Sequence, residues 1–237
     1  MCGRYSASTQ PSLWAEQFRA EPVGVEGHQP SWNVAPASDV LVVLAGDDGA
    51  RQLRELRWGL VPRWAKDRKI GNRMINLRAE TVREKKSWQT ALAHRRCIIP
   101  ADGFYEWQDM GKGRRKQPFF IAARDGQPLA LAGLWADWHD PESGEQLWTC
   151  TILTTSANEL MGSVHHRMPV ILPPEAWDAW LDPDNQDVER LTALLDPAPE
   201  EFLKLWPVDL SVGDVRNNRP ELTEPLEGHE ARTADQA

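Results

Sequence analysis

Five short apolar runs crowded into residues 97–154 restrict the fold more than any other feature of this sequence. They cover residues 97–100, 104–108, 118–123, 129–138 and 146–154. Between them lie Gly111-Lys112-Gly113, Asp125-Gly126 and a Pro141-to-Gly144 segment, all turn chemistry. Strands this close in sequence pair antiparallel, because parallel neighbours need a crossover of about a dozen residues or more. Residues 40–45 and 53–60 add two further strands around the Gly46-Asp47-Asp48-Gly49 turn. Helical signals fall at 11–20, at 80–94 in two pieces broken near Ser87 as a cap, and at 157–162, 174–181 and 187–195. The segments 21–37 and 61–79 read as irregular. We expect one α+β domain over residues 1–225, with an antiparallel, barrel-like β core and peripheral helices. The polar residues 226–237 are expected to form a disordered tail.

Composition narrows the function classes. No apolar run approaches the ~20 residues of a membrane span, and the N-terminus has no secretory pattern. Three cysteines are too few, and odd in number, for a disulfide scaffold. A soluble cytoplasmic protein is expected. The formal net charge of -8 argues on its face against a nucleic-acid partner. Residues 51–124, however, hold 19 Lys+Arg against 7 Asp+Glu, leaving -20 for the remainder. That stretch is either an anion-binding face or the partner of acidic segments packed beside it. Tryptophan is over-used, with 12 Trp against 5 Phe and 2 Tyr. Most must be core, but Trp58 and Trp64, each preceded by arginine, could be stacking platforms.

Chemistry concentrates at a few positions. Cellular processing removes a methionine that precedes a residue as small as cysteine, which would leave Cys2 as a free 1,2-aminothiol. An α-amine is about a fifth unprotonated near pH 7.2, against well under ~1% for lysine. It can form a Schiff base with an aldehyde, and the thiol can then close a five-membered thiazolidine. The bland alternative is an ordinary cysteine near a frayed end. Glu106 lies between aromatics in Gly103-Phe104-Tyr105-Glu106-Trp107, where it is either an acid–base group or a solvated strand residue. His165-His166-Arg167 is a dense polar cluster, but adjacent strand residues face opposite ways and no metal-ligand spacing accompanies it. No metal and no cofactor are expected. Asn76 and Arg78 share one face if residues 75–80 are extended.

In order along the chain, Met1-Cys2-Gly3-Arg4-Tyr5, Trp32-Asn33-Val34-Ala35-Pro36, Trp58-Gly59-Leu60-Val61-Pro62, Ile75-Asn76-Leu77-Arg78-Ala79-Glu80, Gly103-Phe104-Tyr105-Glu106-Trp107 and His165-His166-Arg167-Met168-Pro169 resemble the motifs of the SRAP family. These are the SOS-response-associated peptidases, or abasic-site processing proteins. The resemblance extends to about Pro225 and includes Val215-Arg216-Asn217-Asn218. It implies covalent capture of abasic sites in single-stranded DNA, with Cys2 as nucleophile once Met1 is gone. By similarity, Asn76 positions the cysteine and the sugar. Glu106 is the acid–base carboxylate, and His165 helps open the sugar ring. Arg4, Asn33, Arg78 and Arg167 resemble residues along the phosphate path. Trp58, Pro62 and Trp64 lie where the family contacts DNA near the lesion, and Thr154 is a further active-site neighbour. The family also implies autoprocessing, a hydrolase or lyase class, a DNA-damage role, and a monomer that needs no small-molecule cofactor.

Departures are few. Leu77 stands where alanine is expected, Trp32 where tyrosine is usual, and His166 where aspartate is common. Leu77 should point away from Asn76, whereas His166 bears on the pH dependence of its neighbour. Two other functions remain open at this point. One is an N-terminal-nucleophile peptidase acting on peptides through Cys2. The other is a non-covalent binder of single-stranded DNA.

Overall fold

The computed structural model describes residues 2–234. Thirteen strands form among them: β1 (Tyr5–Ala7), β2 (Glu21–Pro22), β3 (Ser31–Val34), β4 (Asp39–Ala45), β5 (Arg51–Trp58), β6 (Asn76–Arg78), β7 (Arg96–Ala101), β8 (Gly103–Gln108), β9 (Gln117–Ala123), β10 (Leu129–His139), β11 (Gln146–Ser156), β12 (Arg167–Pro169) and β13 (Leu203–Pro207). The helices are α1 (Pro11–Phe18), α2 (Ala79–Glu84), α3 (Lys86–His94), α4 (Glu159–Gly162), α5 (Trp177–Leu181) and α6 (Val188–Ala193), with short 3-10 turns between.

Strands β11, β10, β7, β4 and β5 close into a five-stranded barrel. A ring of five strands cannot alternate direction all the way round, so one joint must be parallel. That joint is β5 with β11, through Thr149↔Arg57 and Cys150↔Trp58. The barrel-like α+β core is therefore present, but it is mixed rather than wholly antiparallel. β2 and β6 also add in parallel, against β5 and β11. A second, antiparallel sheet in the order β13-β9-β8-β1-β3 packs beside the barrel.

Alternation along the barrel strands sends Val40, Val42, Leu56, Trp58, Cys97, Ile99, Leu131, Cys150 and Ile152 into one core, which Cys2, Tyr5 and Phe104 from the second sheet complete. The opposite barrel face supplies Leu41, Val43, Leu53, Ile98, Ala132 and Leu153 to a core shared with α1, α3 and α5. This two-sided burial explains why the strands read as continuous apolar runs.

Two local expectations change. The break between α2 and α3 falls at Lys85, and Ser87 lies inside α3 rather than capping it. Residues 226–234, assigned to a disordered tail on polarity, instead return to the second sheet. Leu226 N–H donates to the Pro207 carbonyl at 3.0 Å, and Arg232 pairs with Leu205 through two backbone hydrogen bonds of 2.7 and 3.0 Å. Residues 235–237 of that tail lie outside the described residues. Among the described residues no helix is long and apolar enough to cross a membrane, and no three His, Cys, Asp or Glu side chains gather as a metal site.

Candidate active site

The registers of the two sheets bring the chemical residues together. β1 pairs antiparallel with β8, Tyr5 opposite Phe104, and Tyr105 N–H donates to the Arg4 carbonyl at 2.9 Å. Continuing that register sets the chain at Cys2 and Gly3 alongside Glu106 and Trp107. Cys2 is fully buried, where the second sheet meets the barrel. From the barrel side, β6 runs parallel to β11 with Asn76 opposite Ile152. There the Asn76 amide Nδ2 donates to the Cys2 carbonyl at 2.8 Å, bridging the two sheets at Cys2. The Oδ1 of Asn76 is buried and accepts no hydrogen bond. Such an acceptor carries a desolvation cost until a donor reaches it.

Trp58 holds this arrangement from beneath. Its indole Nε1 donates to the Ile75 carbonyl at 2.8 Å, one residue before Asn76, and its ring meets Tyr5 edge-on at 5.3 Å. At 1% exposure it is core and no platform for a base. Gly59 and Gly71 let the next turn approach. A Cβ on Gly71 would lie 2.4 Å from the Gly59 carbonyl oxygen, and Gly59 has φ +133°.

His165 enters from the connection between α4 and β12. Its backbone N–H donates to Met161 at 2.9 Å, and Arg167 N–H donates to its Nδ1 at 3.0 Å. The same Nδ1 lies 3.2 Å from the Arg167 carbonyl, so it accepts from the Arg167 N–H when bare and donates to that carbonyl when protonated. Glu106, 3% exposed, lies with Oε1 4.0 Å from that Nδ1. The two strands of chain are clamped by Gln108, whose amide donates to the Ser163 carbonyl at 2.7 Å. His166 stacks on His165 at 4.4 Å.

Electrostatics follow from this burial. Desolvation pushes the Cys2 thiol far above its ordinary value, and the Glu106 charge adds to the rise. The thiol is therefore neutral at pH 7. Burial also lowers the His165 pKa, against the opposing pull of Glu106, and His166 adds to the lowering. His165 is a neutral imidazole near pH 7.

The other sequence candidates separate into groups. Arg78 is exposed at the end of β6, at the N-terminus of α2. Pro62 and Trp64 line a groove of about 460 Å³ with Arg63, Lys85, Trp88 and Arg95, and Trp64 is 75% exposed. Four candidates are engaged with the protein itself. The Asn33 amide donates to the carbonyls of Val212, Asp214 and Asn217, and its Oδ1 accepts from Arg4 at 2.7 Å. The same Arg4 nitrogen donates to Val212, so this pair brackets the loop after β13. Arg167, 8% exposed, holds Glu80 in a two-pronged ion pair at 2.6 and 2.9 Å and donates to the Thr154 carbonyl. Thr154 is wholly buried beneath it. A phosphate would have to displace Glu80 to reach this guanidinium.

Residue-by-residue reading of the sequence passed over Glu80, Gln108, Asn217 and Asn218 as positioning groups. Glu80 and Asn217-Asn218 lay inside the quoted motifs, and Asn218 supports Trp32 by accepting its backbone N–H at 2.8 Å. Gln108 carried no signal short of the contact itself.

Comparison with known proteins agrees with this architecture. The chain is 44% identical over 225 residues to the abasic site processing protein YoqW of Bacillus subtilis, covering 94% of this chain and 99% of that one. It is 36% identical to the abasic site processing protein HMCES of Gallus gallus, over 84% of this chain and 67% of the relative. A crystal structure of a protein from Bacteroides thetaiotaomicron superposes with a TM-score of 0.84 at 25% identity, covering 95% of this chain and all of the other. The family model for SOS response associated peptidase (SRAP) matches residues 1–215, and the chain belongs to that family.

Proposed function

We propose that this protein processes abasic sites in single-stranded DNA by capturing them covalently on Cys2 after Met1 is removed. The observation that carries the reading is the buried Cys2, held by Asn76 through its carbonyl and set beside the Glu106–His165 pair. The names of the relatives, abasic site processing proteins, supply the substrate class.

The steps balance as follows. His165 and Glu106 exchange protons with the sugar as the hemiacetal opens to its C1′ aldehyde. The freed α-amine of Cys2 attacks C1′, forming a C–N bond and a carbinolamine. A proton given by Glu106 to the C1′ hydroxyl expels water and leaves an iminium. Sγ then bonds to C1′, closing the thiazolidine, and the thiol proton passes to Glu106. The neutral, buried thiol suits this order, because the iminium charge forms next to it before the thiol must ionise. The buried Asn76 Oδ1, which accepts no hydrogen bond, supports a role as acceptor for the Cys2 amine, which would fix its lone pair toward the aldehyde. Strand scission by β-elimination and release of the N-terminal methionine belong to the same reading.

The test is incubation of the processed protein with single-stranded DNA bearing an abasic site. A complex that survives denaturing electrophoresis is expected, and Cys2→Ala should abolish it. Equal yield of a heat-stable adduct from Cys2→Ala would sink the mechanism.

A further inference from the structure

The β8–β9 hairpin carries a charge cluster to which the site described above assigns no role. Its tip places Lys112, Arg114, Arg115 and Lys116 within five residues, all exposed. None of the four forms an ion pair or side-chain hydrogen bond among the described residues. Between Trp107 and Gln117 the one carboxylate is Asp109, and its Oδ1 accepts the Gly111 N–H at 2.9 Å. Gly111 and Gly113, at φ +90° and +81°, reverse the chain so that the cations alone form the tip.

The hairpin grows directly out of the active site. Glu106 lies on β8 itself, and Gln108, in its last ladder pair with Gln117, is tied to Ser163 two residues before His165. From Glu106 to Lys112 the chain can reach about 20 Å, the span of about six stacked nucleotides. The tip thus gathers four unpaired cations within five residues of a protein whose net charge is -8.

We propose that the 112–116 tip binds the phosphodiester backbone of DNA flanking the lesion, several nucleotides from the captured sugar. The proposal rests on the function proposed above for its orientation. It adds a binding site that contributes affinity and salt dependence but takes no part in bond formation.

The experiment compares wild type with K112S/R114S/R115S/K116S on two strands. The first is a 25-nucleotide strand carrying a central tetrahydrofuran, which has no aldehyde and reports reversible binding. The second is a five-nucleotide strand with a central true abasic site, read by capture rate. On the long strand the slope of log K against log salt should fall by about 2–3, at ~0.7 per single-strand phosphate contact, with Kd rising at least tenfold at low salt. Capture of the short strand should be unchanged, which also reports that the variant is folded. An unchanged slope on the long strand would overturn the proposal. So would equal loss on both strands, or competition by poly-glutamate as effective as by DNA of equal charge. Failure of wild type to crosslink the strand with the true abasic site would instead remove the thiazolidine mechanism, while the tetrahydrofuran slope would still decide on the hairpin.

Discussion

At the scale of single residues, the site is set by which partner each side chain already has. Asn76 uses its donor on Cys2 and keeps a buried acceptor open, whereas Asn33 has both ends of its amide engaged with the protein. The two asparagines look alike in sequence and differ entirely in availability. His166 offers a direct test of the local electrostatics. His165 has a lowered pKa, so it stays neutral to a lower pH than a free imidazole, and capture should hold down to pH values below ~6.5. Replacing the stacked His166 by aspartate exchanges a neighbour that lowers this pKa for an anion that raises it. The acid limb of the capture rate should then move to higher pH, with a several-fold loss near pH 6 and little change near pH 8. Superimposable pH profiles would show that His165 does not titrate in the reaction.

At the scale of elements, the strand and helix positions were legible because each run carries its own period and turn residues. β7 to β11 appear within two residues of the ends expected from the apolar runs. What the local pattern could not carry was pairing direction. The parallel joint at β5–β11 follows from closing an odd ring, and the parallel addition of β6 to β11 joins Asn76 to a partner as remote as Ile152, neither of which any window of the sequence contains. Likewise Arg167 and Trp58 lie inside the quoted motifs, yet their burial against Glu80 and Ile75 depends on segments distant in sequence. The Gly59–Gly71 contact is an element-scale constraint with a measurable consequence. It presses the 68–73 turn onto the end of β5, and Leu60 N–H donates to Met74 at 3.1 Å just ahead of Asn76. Gly71→Ala should cost about 1–3 kcal/mol through backbone overlap, measured by denaturant unfolding. Capture should fall further than that loss explains, since the displaced segment carries Asn76. A variant with normal capture would mean that the turn is free to shift without moving β6.

At the scale of the whole molecule, the basic middle proves to have two fates. Arg51 and Arg83 pair with Asp178 and Asp196 of the acidic C-terminal third, and Arg63 pairs with Asp137. Arg96 is surrounded by carbonyls of Leu92, Ala93, Trp180 and Asp182. For these the plain reading of adjacent, cancelling segments holds. The hairpin tip and Arg78 face outward, as do Lys66, Arg68, Lys69, Arg73, Lys85 and Lys86. The N-terminus is a whole-molecule feature as well, because both sheets must assemble before Cys2 has its surroundings. While any residue precedes Cys2, its nitrogen is an amide and cannot attack an aldehyde. An uncleaved N-terminal extension should therefore leave folding intact and reduce denaturation-resistant adduct to background, and proteolytic removal should restore it. An extended protein that crosslinks at full yield would point to a lysine or to the thiol alone.

The depth of Cys2 carries a consequence for the cell's oxidants. Peroxide and electrophiles attack the thiolate, and a thiol kept neutral by complete burial presents almost none of it. On the proposed mechanism, a cysteine that reacts once, on a rare lesion, would have to outlast long exposure to ordinary metabolism before its substrate arrives. Burial would supply that shelf life without a protecting group, because the iminium of the proposed reaction would itself bring the positive charge that makes the sulfur reactive.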